Sequence, residues 1–120
     1  MPRVILSPAG GGGLPEGSPD YRYEFDLELD HDRTPRVAAW TEDSWPWFAR
    51  RVWNGEATEG DVQYDEDSGW AMRFFPRAEH APDAPLQSHF RNGARFRPGE
   101  IVSVSEADGR DYAWRVVSVG

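Results

Sequence analysis

Cysteine is absent from these 120 residues, so disulfides, thiolate metal sites and cysteine nucleophiles are excluded. Lysine is absent too: all 13 basic residues are arginine. That removes Schiff-base lysine chemistry and the lysine of a phosphate-gripping P-loop. No apolar run approaches the roughly 18 residues of a membrane span. The start, residues 1–8, has three consecutive apolar residues before a Pro/Gly run, too few for a signal-peptide core. The expected location is therefore the cytoplasm, with no membrane partner. Histidine is scarce. His31, His80 and His89 show neither i, i+4 spacing nor an H-E-x-x-H string. None of the serines sits in a G-x-S-x-G elbow. The motifs predict no catalytic residue, no metal site and no cofactor.

Aromatic residues are plentiful: six Trp, six Phe and four Tyr carry much of a hydrophobic content of only 38%. The length suits one domain spanning 1–120 with a real core, and no internal repeat is visible. The Arg, Ala, Gly and Pro bias points to a GC-rich bacterial genome. The net charge of −8 is uneven: residues 16–67 hold 15 acids and 5 Arg, whereas residues 68–120 hold 6 acids and 7 Arg. A strongly acidic half repels phosphate backbones at long range, which disfavours a general nucleic-acid partner.

Along the chain, Arg3 to Leu6 reads as a short strand. Residues 8–19 (PAGGGGLPEGSP) read as a flexible loop, since no Lys-Ser or Lys-Thr follows the glycines as a phosphate loop requires. Residues 21–30 alternate: Tyr21, Tyr23, Phe25, Leu27 and Leu29 on one side, Arg22, Glu24, Asp26, Glu28 and Asp30 on the other. That is a half-buried antiparallel strand with a charged outer face. Arg36 to Trp40 reads as a second short strand. Residues 44–54 read as an amphipathic helix capped by Asp43 or Ser44, with Pro46 in its first turn and Gly55 ending it. Trp45, Phe48, Ala49, Val52 and Trp53 then form one apolar stripe, which leaves Trp47 off the stripe and exposed. Residues 61–75 read as a hairpin around Asp65-Glu-Asp-Ser-Gly69. The acid expected at the twelfth position of a calcium loop is Pro76. Residues 77–93 read as a long loop, a length at which loops are often functional.

The clearest signal is the closing hairpin, 96–119. Pro98-Gly99 makes the entry turn, and Asp108-Gly109 a two-residue turn. Such a turn places Ser105 opposite Tyr112, Ser103 opposite Trp114 and Ile101 opposite Val116, with Arg115 near Glu100. A bulge at Gly109 would shift this pairing by one. Both faces are partly apolar, as in a rolled sheet or small barrel.

Between Asp83 and Glu100 there is no acid, and His89, Arg91, Arg95 and Arg97 interleave with Phe90 and Phe96. Guanidinium forks suit phosphate or carboxylate, and neighbouring rings suit a planar ligand; equally, these arginines offset the acidic half. Of the tryptophans, Trp40 and Trp47 are free of a core assignment. The candidate site is therefore Trp40, Trp47, His89, Arg91, Arg95 and Arg97, where the 77–97 segment meets a tryptophan.

The tail, F-x-P-G-E-x-V-x-V, then Asp-Gly, then Y-x-W-R-V-V-S-V, resembles the C-terminal segment of small bacterial proteins of uncharacterised function. Its G-E-x-V-x-V phrase and closing V-V-S-V strand are also similar to small barrels such as PUA- and ASCH-like domains. That resemblance implies a barrel and, for some members, RNA or nucleotide binding. The expected fold is mainly β (α+β as the alternative): a rolled antiparallel sheet or small barrel with one short amphipathic helix. The leading functional expectation is a non-catalytic module that binds a small anionic or planar ligand, or a protein partner. The alternatives are a PUA/ASCH-like nucleic-acid or nucleotide binder, and a small hydrolase or isomerase using carboxylates with His80 or His89.

Overall fold

Alternation dominates the architecture. In this computed structural model, which describes residues 1–11, 13–43, 47–75 and 86–120, eight antiparallel strands close into a barrel. They are β1 (Arg3–Pro8), β2 (Arg22–Asp26), β3 (Trp47–Trp53), β4 (Glu56–Asp65), β5 (Gly69–Phe74), β6 (Leu86–Phe90), β7 (Ile101–Ser105) and β8 (Asp111–Val119). Each strand pairs with its neighbours in sequence, and β8 returns to β1. Closure leaves no free sheet edge. The mainly β, barrel-like expectation holds. The up-and-down path puts the C-terminal ends of β1, β3, β5 and β7 at one rim, here called the upper. The β2–β3, β4–β5 and β6–β7 connections and both termini are at the lower rim.

An eight-stranded barrel is just wide enough for side chains to fill, and large ones fill this one. Tyr23, Phe25 and Leu27 from the alternating 21–30 stretch are fully buried, as are Leu6, Met72, Phe74, Phe96 and Trp114. Phe25, Phe90 and Phe96 pack edge-on or tilted with ring centroids 5.1–5.7 Å apart. So the phenylalanines of the basic segment are core. The connector after β1 also adds to the core through Leu14.

The charged outer face of β2 is neutralised sideways. Arg3 on β1 grips Asp26 at 2.9 Å, and Glu24 lies 2.9 Å from Arg22 and 3.9 Å from Arg50 on β3. These pairs are partly solvated, so each contributes on the order of 1 kcal/mol or less. Arg3→Ala should accordingly lower the unfolding free energy by no more than that; a larger loss in a urea titration would show that Arg3 acts through its packing over Phe48, 4.6 Å away.

The structure corrects four expectations. Residues 47–53 are a strand, not a helix: Trp47, Ala49, Arg51 and Trp53 face inward, in register with Val62, Gly60, Thr58 and Glu56. Trp45 lies outside the described residues. Gly55 is not a helix stop. With Asn54 (φ 51°) and Gly55 (φ 79°) both left-handed, the pair makes the two-residue turn that suits the twist of a β3–β4 hairpin. Conversely, the 36–40 stretch is not a strand: it contributes to α1 (Val37–Glu42), a short helix with no buried residue. The expected long loop contains β6, which pairs with both β5 and β7; residues 76–85 lie outside the described residues.

The fourth correction is to the closing hairpin, whose register is shifted by one. Val102 faces Trp114, Val104 faces Tyr112 and Ile101 faces Arg115. The connection is a type I turn over Glu106–Gly109, with Gly109 at φ 84° as a bulge before Arg110, rather than a two-residue turn. The shift sends Tyr112, Trp114 and Val116 inward together with Val102 and Val104. It also takes Arg115 away from Glu100 and leaves it 3.7 Å from Glu16.

Candidate functional site

Two places in the barrel concentrate chemistry, one at each rim. The lower one is a cleft of about 180 Å³ lined by Thr34 and Pro35, by Trp70, and by Phe90 to Ala94. Its walls are the β2–β3 and β6–β7 connections, pinned together where the Phe96 N–H donates to the Arg33 carbonyl at 2.9 Å. On one side the Asp30 N–H donates to the Thr34 carbonyl, and on the other a tight turn forms from the Ala94 N–H to the Arg91 carbonyl. Phe90 is buried; Trp70 is half-buried and stacks on Trp47 at 5.8 Å with planes 15° apart. The volume is below the roughly 300–1,000 Å³ of drug-sized pockets, so it suits a single ring.

The six residues expected at a site are only partly brought together. Arg91 lines the cleft and is also 3.2 Å from Asp111 on the outer surface. Arg95 and Arg97 are exposed on the same connection but do not line the cleft. Trp47 is buried, against the expectation of exposure; its indole N–H donates to the Asp43 carbonyl at 3.2 Å, and it lies behind Trp70. Trp40 is half-buried, donates to the Val62 carbonyl at 3.3 Å and reaches Trp70 only through Tyr64. His89 lies between inward Ser88 and Phe90, so it points outward, opposite Ala71 and Ser105. His80 falls outside the described residues. Among the described residues, no group of three or more His, Asp or Glu side chains could hold a metal ion.

The upper place lies inside the barrel and was not legible as a site in the sequence. Glu106, on the β7–β8 turn, is buried. Its carboxylate accepts the Tyr23 hydroxyl at 2.6 and 2.8 Å and the Ser88 hydroxyl at 3.1 Å. Arg51 donates from Nε to the Tyr23 oxygen at 3.2 Å, and its Nη2 lies 3.5 Å from Glu106. Four strands or turns thus meet at one carboxylate: β2, β3, β6 and the turn after β7. Burial pushes the Glu106 carboxyl up from its ordinary value, opposed by the donors from Tyr23 and Ser88 and by the Arg51 charge. Burial also pushes the Tyr23 phenol up, reinforced by the neighbouring carboxylate, so it stays a donor beyond the usual phenol range.

Around this cluster stand aromatic rings. Arg51 lies 4.3 Å above the Trp53 ring, Trp53 meets Tyr112 edge-on at 5.6 Å, and Tyr23 meets Trp114 at 4.8 Å. The buried Trp114 indole N–H has no hydrogen-bond partner among the described residues. The signal that could have located this site is Arg51 itself. Once 47–53 is read as a strand, an arginine shares the inward face with two tryptophans, and a buried charge needs a partner.

No helix among the described residues is long and apolar enough to cross a membrane. No family model, no curated protein and no solved structure matches the chain.

Proposed function

We propose that this chain is a non-catalytic binding barrel whose lower-rim cleft takes a single-ring planar ligand bearing an anionic group. One observation carries the reading: the cleft sets Arg91 and two aromatic side chains, Trp70 and Phe90, at the mouth of a barrel. Rings supply flat apolar contact, a guanidinium supplies forked donors for an oxyanion, and barrel mouths are recurrent ligand positions. The non-catalytic part rests on the lining, which among the described residues holds no His, Asp or Glu, so these residues offer no general base of the usual kind. Arg91 leaves Asp111 at little cost, because both side chains are largely solvated and such pairs contribute on the order of 1 kcal/mol or less.

The test is a titration of the full chain with benzoate, nicotinate and benzenesulfonate, followed by tryptophan fluorescence and by amide shifts at Asn92, Gly93 and Ala94. Arg91→Ala should weaken binding by about tenfold or more, the scale of a lost charged hydrogen bond, and leave the melting temperature almost unchanged. Trp70→Phe should weaken it less. Absence of any shift at Asn92–Ala94 with all three probes, or unfolding of Arg91→Ala, would rule the reading out.

A further inference from the structure

The upper cluster has the composition of a carboxylate receptor. Tyr23 and Ser88 present hydroxyl donors and Arg51 a guanidinium, all directed at one carboxylate from three different strands. Forked and charge-assisted donors of this kind are how proteins hold carboxylate ligands. Here the carboxylate comes from the chain's own Glu106, which is carried on a self-contained turn. The Glu106 N–H donates to the Arg110 carbonyl at 2.8 Å and the Gly109 N–H to the Glu106 carbonyl at 2.9 Å. Residues Ala107 to Arg110 are exposed. The turn therefore keeps its own hydrogen bonds if it tilts away from the barrel mouth.

A second observation is independent of Glu106. The Trp114 indole N–H is buried and has no partner among the described residues, and its ring packs against Tyr23 at 4.8 Å. A buried donor without a partner is rare and calls for an explanation. Trp53, under Arg51, and Tyr112, edge-on to Trp53, supply an apolar wall for a short hydrocarbon tail.

We propose that Arg51, Tyr23, Ser88 and Trp114 form a binding site for a small aliphatic monocarboxylate inside the upper rim, and that Glu106 fills it as an internal competitor. A ligand enters as the β7–β8 turn tilts outward, and the free-standing affinity is reduced by the fraction of time Glu106 occupies the cradle. This site is separate from the lower-rim cleft and does not depend on it.

The experiment uses the full chain and the probes formate, acetate and butyrate, each compared with chloride at equal ionic strength. Binding is read from the Trp114 indole N–H resonance and the amides of Tyr23 and Ser88. Glu106→Ala should bind acetate at least about tenfold more tightly than the unmodified chain, since the competitor is gone. The double variant Arg51→Met with Glu106→Ala should lose that binding. Glu106→Gln repeats the comparison at nearly unchanged packing volume, and it should also bind more tightly than the unmodified chain because an amide holds Arg51 less strongly. Equal affinity in the unmodified chain and both Glu106 variants overturns the proposal, as does acetate binding that survives the loss of Arg51. Arg91→Ala should leave all of these affinities unchanged, so failure of the cleft reading and failure of this one are told apart.

Discussion

Gly60→Ala should destabilise the barrel by about 3 kcal/mol or more, at or beyond the upper end of ordinary overpacking costs. Gly60 lies in β4, facing inward between Ala49 of β3 and Phe74 of β5. A Cβ placed there would sit 1.6 Å from the Arg73 carbonyl oxygen, 2.7 Å from its carbon and 2.9 Å from the Phe74 Cα. All three are backbone atoms of β5, so no side chain can swing aside; two strands must separate. The entropic benefit of replacing glycine is only about 0.4–1 kcal/mol and cannot offset this. The measurement is a urea titration followed by far-UV circular dichroism. A loss below about 1 kcal/mol would mean that β4 and β5 move apart freely, contrary to the close crossing that lets the barrel curl at this point.

Glu106→Ala is the second large effect: a loss of about 3 kcal/mol, near the lower end of what breaking a buried ion pair costs. The lower end applies because Arg51 keeps 14% of its side chain exposed and so recovers some hydration. The variant removes the carboxylate that accepts from Tyr23 and Ser88, whose hydroxyls still meet each other at 2.8 Å, and takes the counter-charge from Arg51. Tyr23→Phe removes the hydroxyl that meets Glu106, Ser88 and Arg51 but keeps the Arg51–Glu106 pair, so it should cost less, about 1–3 kcal/mol. A Glu106→Ala chain as stable as the original would show that the cluster is no brace between the strands.

The same carboxyl gives a pH signature of definite sign. Its folded value lies above the unfolded one because burial disfavours the charge. The folded state therefore binds the proton more tightly. Stability from this group is complete below the ordinary carboxyl value of 4.5 and is lost as pH rises through the raised folded value. Glu106→Gln should remove that slope. Asp32 and Asp65, held below their usual values by hydrogen bonds from Thr34 and from the Asp67 and Ser68 backbone, act in the opposite sense and lose their contribution on acidification. They are unchanged in the variant, so the difference between the two stability curves isolates Glu106. Superimposable curves would contradict the assignment.

Both predictions turn on features that differ in how they read from the chain. The inward set Tyr23, Phe25 and Leu27 follows from period-two alternation, because a pleated strand sends alternate side chains to opposite faces whatever it pairs with. The strand character of 101–105 and 111–119 is legible from their β-branched residues and the Pro98-Gly99 and Asp108-Gly109 turns that bound them. The 47–53 stretch was ambiguous: Phe48, Ala49, Val52 and Trp53 fit a helical stripe, while Trp47, Ala49, Arg51 and Trp53 fit a strand face. A short apolar run does not separate these periods. Asn54-Gly55 is the arbiter: it is a two-residue hairpin turn and not the end of a helix. With 47–53 as a strand, Trp47 lies in the core and Arg51 faces the interior.

Of the candidate site, only Arg91 was both legible and placed in the cleft; Trp70, which forms its wall, read as an ordinary core residue. The interior cluster was beyond reach for another reason. Tyr23 and Glu106 are 83 residues apart, and Ser88 and Arg51 lie on other strands. Their meeting depends on the register of every intervening pair and on a one-residue bulge at Gly109. By itself, then, the sequence determined that the protein is a sheet of alternating strands rich in buried rings, without thiol or lysine chemistry, because those properties are local or compositional. Barrel closure, the inward turn of Arg51 and the burial of Glu106 were decided by the tertiary structure, since each requires non-local strands to settle which face is inside.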